Sequence, residues 1–178
     1  MMTQNDFYWA MATGDLDRVR AGLESGKTID VRSSDGVEAL FFAVEISNLA
    51  VLRLLLEAGA PANRGDSRGR TVIHAAARWN RVEVLEALTP LNLHINSAAE
   101  NPPGSTPLHE AALHGALESA QWLVSNGAEI HARLETGETP ADLARMRGNL
   151  EIVRILEGGL SAGDYLFRGW SHQELAYR

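Results

Sequence analysis

Six histidines are the residues of this chain best suited to acid–base or metal chemistry. Two of them, His74 and His109, stand in matching surroundings: Thr71-Val72-Ile73-His74 and Thr106-Pro107-Leu108-His109. No pair has the close helical spacing, with a glutamate between, that places two imidazoles and a general base on one zinc ion. The chain has no cysteine, so a disulfide, a thiolate nucleophile and a Cys-based zinc or iron–sulfur site are excluded. Asp142 is a candidate general base, but no Gly-x-Ser-x-Gly elbow, Walker loop or dinucleotide fingerprint accompanies it. A function has to be argued from a site, and these residues assemble none for catalysis. Neither enzyme activity nor a cofactor or metal is expected.

The elements that carry these residues repeat. In Gly104-Ser105-Thr106-Pro107-Leu108-His109-Glu110-Ala111-Ala112, Thr106 can cap a helix with its hydroxyl, and Pro107 sits at the first helical position, where no backbone N–H is needed. Leu108, Ala111 and Ala112 give that helix a small apolar face. Thirty-three residues later the device returns as Gly137-Glu138-Thr139-Pro140-Ala141-Asp142-Leu143-Ala144; thirty-five residues earlier a worn copy reads Gly69-Arg70-Thr71-Val72-Ile73-His74-Ala75-Ala76-Ala77. A repeat of this length implies an array of helix pairs.

The phase predicts five units, about residues 5–32, 33–65, 66–98, 99–133 and 134–160, within a repeat domain spanning 1–160. The first carries Phe7, Tyr8 and Trp9 where small residues are expected, as befits a terminal repeat with one neighbour. In the second, Asp35-Gly36 is expected to make the turn and Ala39 to begin the first helix, with Glu38 in the place of the capping threonine and Phe41 in that of the histidine. The third turns at Asp66-Ser67-Arg68-Gly69; Asn92 stands in for a glycine at positive φ, and Pro90 is expected to shorten its second helix. The fourth is preceded by extra residues within 96–103, an insertion of the kind that maps to one exposed edge. In the fifth, Leu150, Val153, Ile155 and Leu156 form the second-helix stripe. The tail, 161–178, carries Tyr165, Phe167, Trp170 and Tyr177 and is expected to pack as a cap on the last repeat; the competing reading is a peptide held out for a partner.

A hydrophobic content of 45% supports a packed core, and the net charge of −7 argues against nucleic acid or an anionic membrane as partner. The start, Met1-Met2-Thr3-Gln4-Asn5-Asp6, has no basic leader, and no apolar run approaches a membrane span, so a cytoplasmic protein is expected. Lys27, the one lysine beside fifteen arginines, points to a GC-rich, bacterial coding sequence.

The phased turn glycines Gly36, Gly69, Gly104 and Gly137, the Thr-Pro caps, the Ala-Ala pairs and the late-cap residues Gly26, Gly59, Asn92 and Gly127 together resemble the ankyrin repeat over about residues 5–160. The resemblance implies an all-α solenoid of about five helix-turn-helix units with projecting β-turn fingers. It implies that His74 and His109 brace turns by hydrogen bonds, and that Asp142 does so in the last unit. It further implies a protein partner met by finger tips and the exposed ends of first helices. In this chain those places are Arg32, Ser34, Asp35, Val37, Glu45 and Ile46; Ser67, Arg68, Arg70, Arg78 and Trp79; and Pro102, Pro103, Ser105, Leu113, His114, Glu135, Glu138, Met146 and Arg147. Trp79 stands out, because a large aromatic at an exposed helix end is hard to justify by solubility. Stacking of Arg78 on Trp79 is the competing structural account of that pair.

The main expectation is a non-enzymatic protein-binding module, monomeric when alone. Two other classes compete: a bacterial immunity or inhibitor protein that blocks a toxin or enzyme, and a structural assembly protein. In this register a threonine in place of Glu38 is expected to cap its helix better and to stabilise the chain by about 1 kcal/mol.

Overall fold

The structure is a computed structural model that describes residues 2–25 and 34–158, the side chain of Ser34 excepted. Arg32, Gly26 and the tail 161–178 lie outside the described residues.

Among the described residues the chain forms ten α-helices in consecutive pairs. They are α1 Gln4–Thr13 with α2 Leu16–Ser25, α3 Ser34–Glu45 with α4 Leu49–Glu57, α5 Val72–Arg78 with α6 Val82–Leu88, α7 Pro107–His114 with α8 Leu117–Ser125, and α9 Pro140–Met146 with α10 Leu150–Glu157. No pair can bury its own apolar face, so the pairs stack. The odd-numbered helices form one row and the even-numbered helices the other, each touching its successor. Ala76, Ala111, Ala112 and Ala144 are fully buried in the first row, where the absence of a longer side chain lets neighbouring helices approach. Val51, Leu52 and Leu55 of α4, Val84 and Leu85 of α6, and Leu123 of α8 fill the second.

Local chemistry sets the boundaries. Thr106 and Thr139 precede prolines, and a residue before proline is pushed out of the α region; α7 and α9 therefore start at Pro107 and Pro140. Asn92 adopts the left-handed conformation at φ 48°, and Pro90 sits in a 3-10 turn, Thr89–Leu91, that ends α6 at Leu88.

The second unit departs from expectation. Asp35 and Gly36 do not turn; they lie inside α3, and Glu38 is an interior helical residue rather than a cap. The sequence Glu38-Ala39 has neither the threonine nor the proline that stops the helix elsewhere, so it continues back to Ser34 with Asp35 in its favourable first turn. Leu150 also departs from expectation: it is 60% exposed, and Ile152 supplies the buried contact of α10 in its place.

The fingers stack as well. Gly69, at φ 72°, has the Glu100 backbone nitrogen 2.9 Å from where a Cβ would be, and Gly104, at φ 82°, has the Arg133 carbonyl at 2.9 Å. A side chain at either position would force adjacent fingers apart. Backbone bonds close the same seams, Glu100 N–H donating to Arg68 (2.9 Å) and Glu135 N–H to Pro103 (3.1 Å). The inserted residues pair as a short hairpin, Ala99–Glu100 against Pro103–Ser105.

Two imidazoles join cap, helix and neighbour. His74 Nδ1 accepts from the Thr71 backbone N–H at 3.1 Å, so Nε2 carries the proton and donates to the Ser105 carbonyl of the next unit at 3.0 Å. His109 repeats this with Thr106 (3.2 Å) and the Glu138 carbonyl (3.3 Å). Both rings are fully buried, and that burial holds their pKa below the ordinary value of 6.5 despite the carbonyl bonds. Asp142, in the corresponding place of the fifth unit, accepts from Thr139 N–H at 2.9 Å but has no proton to donate onward at neutral pH.

Specific outcomes are expected. Glu38→Thr should lower stability by a few tenths of a kcal/mol, because threonine is the poorer interior helix former; a gain would restore the capped register. The depressed histidine pKa values require stability to be fully present above pH 6.5 and to fall as pH drops below it, since the unfolded chain then takes up protons that the folded rings resist. His74→Asn keeps an acceptor for the cap but orphans the Ser105 carbonyl, at a cost of about 1–3 kcal/mol. The double variant with His109→Asn should flatten the pH dependence in urea melts between neutral pH and mild acid.

Candidate functional site

A depression of about 950 Å3 lies between the second and third units. It is lined by Tyr8 of α1 and by Phe41 and Phe42 of α3, with the Tyr8 and Phe42 rings edge to face at 5.2 Å. Glu38 and Glu45 of α3 also line it, as do Arg64 and Arg68 of the third finger and Arg78 and Trp79 at the end of α5.

The extra turn of α3 supplies part of this lining. A helix starting at Ala39 would place neither Val37 nor Glu38 on a helical surface. The third finger is held by Asp66. Its Oδ1 accepts from the backbone N–H groups of Arg68 (2.9 Å) and Arg70 (3.0 Å), while its Oδ2 takes Nε (2.9 Å) and Nη2 (2.6 Å) of the Arg70 guanidinium. Burial pushes the Asp66 carboxyl up, but these four donors outweigh it and hold the pKa low. Arg70 is thereby folded onto its own finger, whereas Arg64 and Arg68 make no side-chain ion pair among the described residues.

Trp79 terminates α5 and is 44% exposed. The Arg78 guanidinium lies 5.8 Å from the centre of its ring, so the cation–π stack is present. Arg78 is itself oriented by Glu110 of α7, whose Oε2 is 3.6 Å from Nη1. Glu110 is only 4% exposed, and the same oxygen has no hydrogen bond and lies 3.7 Å from His114 Nδ1. A buried carboxylate left without a cation is costly, so Glu110 favours keeping Arg78 beside it and against Trp79.

Of the residues expected to meet a partner, the groove brings together Glu45, Arg68, Arg70, Arg78 and Trp79, with Val37 and Ser67. Arg81 Nη2 donates to the Glu45 carbonyl at 3.0 Å, tying this end of α3 to the third unit. Asp35 is half-buried in the first turn of α3, and Ile46 packs against the core. Leu113 and His114 end α7 beside Glu110; the Glu138 carbonyl is engaged by His109; Met146, 73% exposed, and Arg147 lie at the end of α9. These last residues are on the same row of helices but not in the groove.

Sequence reasoning missed Tyr8, Phe41, Phe42, Arg64 and Glu110. The aromatic signal was in the repeat phase: Phe41 replaces the bracing histidine, and Tyr8 is large where the pattern is small. Glu110 carried no signal, because its role depends on Arg78 in the preceding unit.

Glu110→Gln should release Arg78 and shift the Trp79 indole cross-peak in a nitrogen–proton correlation spectrum. An unmoved Trp79 resonance would mean that the stack does not depend on Glu110.

Comparison with known proteins agrees with this architecture. The family described as ankyrin repeats (3 copies) matches residues 7–99, and ankyrin repeats (many copies) matches 104–157. The tyrosine-protein kinase HTK16 of Hydra vulgaris is 29% identical over 84% of this chain and 20% of its own length. The tyrosine-protein kinase Shark of Drosophila melanogaster is 34% identical over 73% of this chain and 14% of its own. The human SH3 and multiple ankyrin repeat domains protein 2 is 26% identical over 83% of this chain and 10% of its own length. The chain thus spans a small part of each relative, and the kinases match it through their repeats alone. Ankyrin repeats are in general non-catalytic, protein-binding units, and by the match of both family descriptions this chain belongs to the ankyrin-repeat family.

Proposed function

We propose that this protein is a non-enzymatic interaction module that docks a protein partner on its concave side, in the groove between α3, α5 and the third finger. The observation that carries this reading is Trp79. It is exposed at a helix end, with the Arg78 guanidinium 5.8 Å from its ring centre and the buried Glu110 carboxyl 3.6 Å from Arg78. Tryptophan and arginine are the side chains most often found as interface hot spots, and a preformed surface avoids much of the ordering cost of binding. The aromatic lining beside them adds apolar area that a partner can cover.

No helix of the described residues is long and apolar enough to cross a membrane. The net charge of −7 disfavours nucleic acid as that partner.

The test is a pull-down from native lysate with mass spectrometry, followed by calorimetry on the purified pair. Trp79→Ala should weaken binding by on the order of 2 kcal/mol and lower stability by no more than the exposed cation–π contact, about 0.5–1 kcal/mol. Unchanged affinity with a large loss of stability would make Trp79 a packing residue. Recovery of only the protein itself, as an oligomer, would favour an assembly role.

A further inference from the structure

The groove has a composition that the rest of the stack lacks. In the third and fourth units the residue three past the cap is a histidine that spends both ring nitrogens on holding the stack together. In the second unit the same register position is Phe41, which can make neither bond. The stack gives up a brace there, and Phe41 is half-buried in the groove lining with Tyr8 and Phe42. An aromatic ring at the position of a lost hydrogen bond is a poor choice for stability and a good one for holding an apolar side chain.

The lining carries opposite charges. Glu38 and Glu45 are seven residues apart on α3 and therefore share a helix face; both are exposed and neither makes an ion pair among the described residues. In the third finger, Arg64 and Arg68 are exposed and likewise unpaired, because Asp66 is already occupied by Arg70. The groove, about 950 Å3, is lined by two kinds of charge, the glutamates that flank Phe41 and Phe42 along one face of α3 and the arginines of the third finger.

Resting on the reading of this groove as a partner site, we infer that it takes a linear peptide segment in which an apolar or aromatic side chain is flanked by one acidic and one basic residue. The apolar side chain lies on Phe41 and Phe42, the acidic residue faces Arg64 and Arg68, and the basic residue faces Glu38 and Glu45. Charges on the rim of an interface contribute mainly register and selectivity, so the two kinds of charge fix the direction in which the segment lies. The protein's overall acidity would by itself favour a purely basic partner; the local arrangement does not.

The experiment is selection of a random phage-displayed peptide library on the full chain, then fluorescence anisotropy with a synthesised peptide of the enriched sequence. The expected consensus has an apolar or aromatic residue between opposite charges. Arg68→Glu should weaken that peptide about tenfold or more, and exchanging the peptide's acidic residue for lysine should recover most of the loss. Glu45→Lys should behave in the mirror sense. Both positions are exposed, and melts of each variant check that it folds. A consensus of one charge sign, or peptides that bind both variants as well as the parent, overturns the proposal. Failure to enrich any sequence overturns the linear-peptide occupant, while the lysate experiment still decides separately whether a folded protein binds.

Discussion

The structure depends on a single kind of contact, the buried neutral imidazole that faces two ways. His74 and His109 each accept a hydrogen bond from the start of their own helix and donate one to the carbonyl of the following unit. Only a neutral ring can do both, and burial keeps it neutral. Because each ring bridges a cap and a neighbouring finger, it fixes the distance between units as well as the start of each helix. The finger glycines and the alanine faces then have a defined spacing to fit.

That contact is confined to one part of the chain. It joins the third unit to the fourth and the fourth to the fifth. Phe41 and Asp142 show two ways of losing it. Asp142 keeps the cap but cannot donate onward. Phe41 keeps neither bond and contributes apolar surface. The unbraced second unit also has the over-long α3, and the groove opens beside it. On this account the braced third, fourth and fifth units supply a rigid base, and the proposed recognition surface spans the junction of the second unit with the third. Glu110 couples the two, since a residue of the braced fourth unit favours keeping Arg78 against Trp79 in the groove.

Most of the fold was legible because its determinants are local. Thr106-Pro107 and Thr139-Pro140 mark helix starts by steric exclusion, Asn92 tolerates positive φ, and Pro90 ends α6, all without reference to distant residues. The bracing role of His74 and His109 followed from the repeat they sit in. What escaped was decided by an omission or by a neighbour. The stop missing from Glu38-Ala39 let α3 run through the expected turn at Asp35-Gly36. Phe41 read as wear in the pattern because its value lies in what it exposes. Leu150 fitted the apolar stripe of α10, yet the helix phase turns Ile152 inward in its place.

The central claim is that the proposed partner binds in the groove between the unbraced second unit and the braced third unit. Hydrogen exchange of the full chain, with and without its purified partner, tests it directly. New protection should concentrate in α3 and in the segment from Arg64 to Trp79, with the outer helices α8 and α10 unchanged. Protection confined to α8 and α10, with the groove exchanging as in the free protein, would contradict the account.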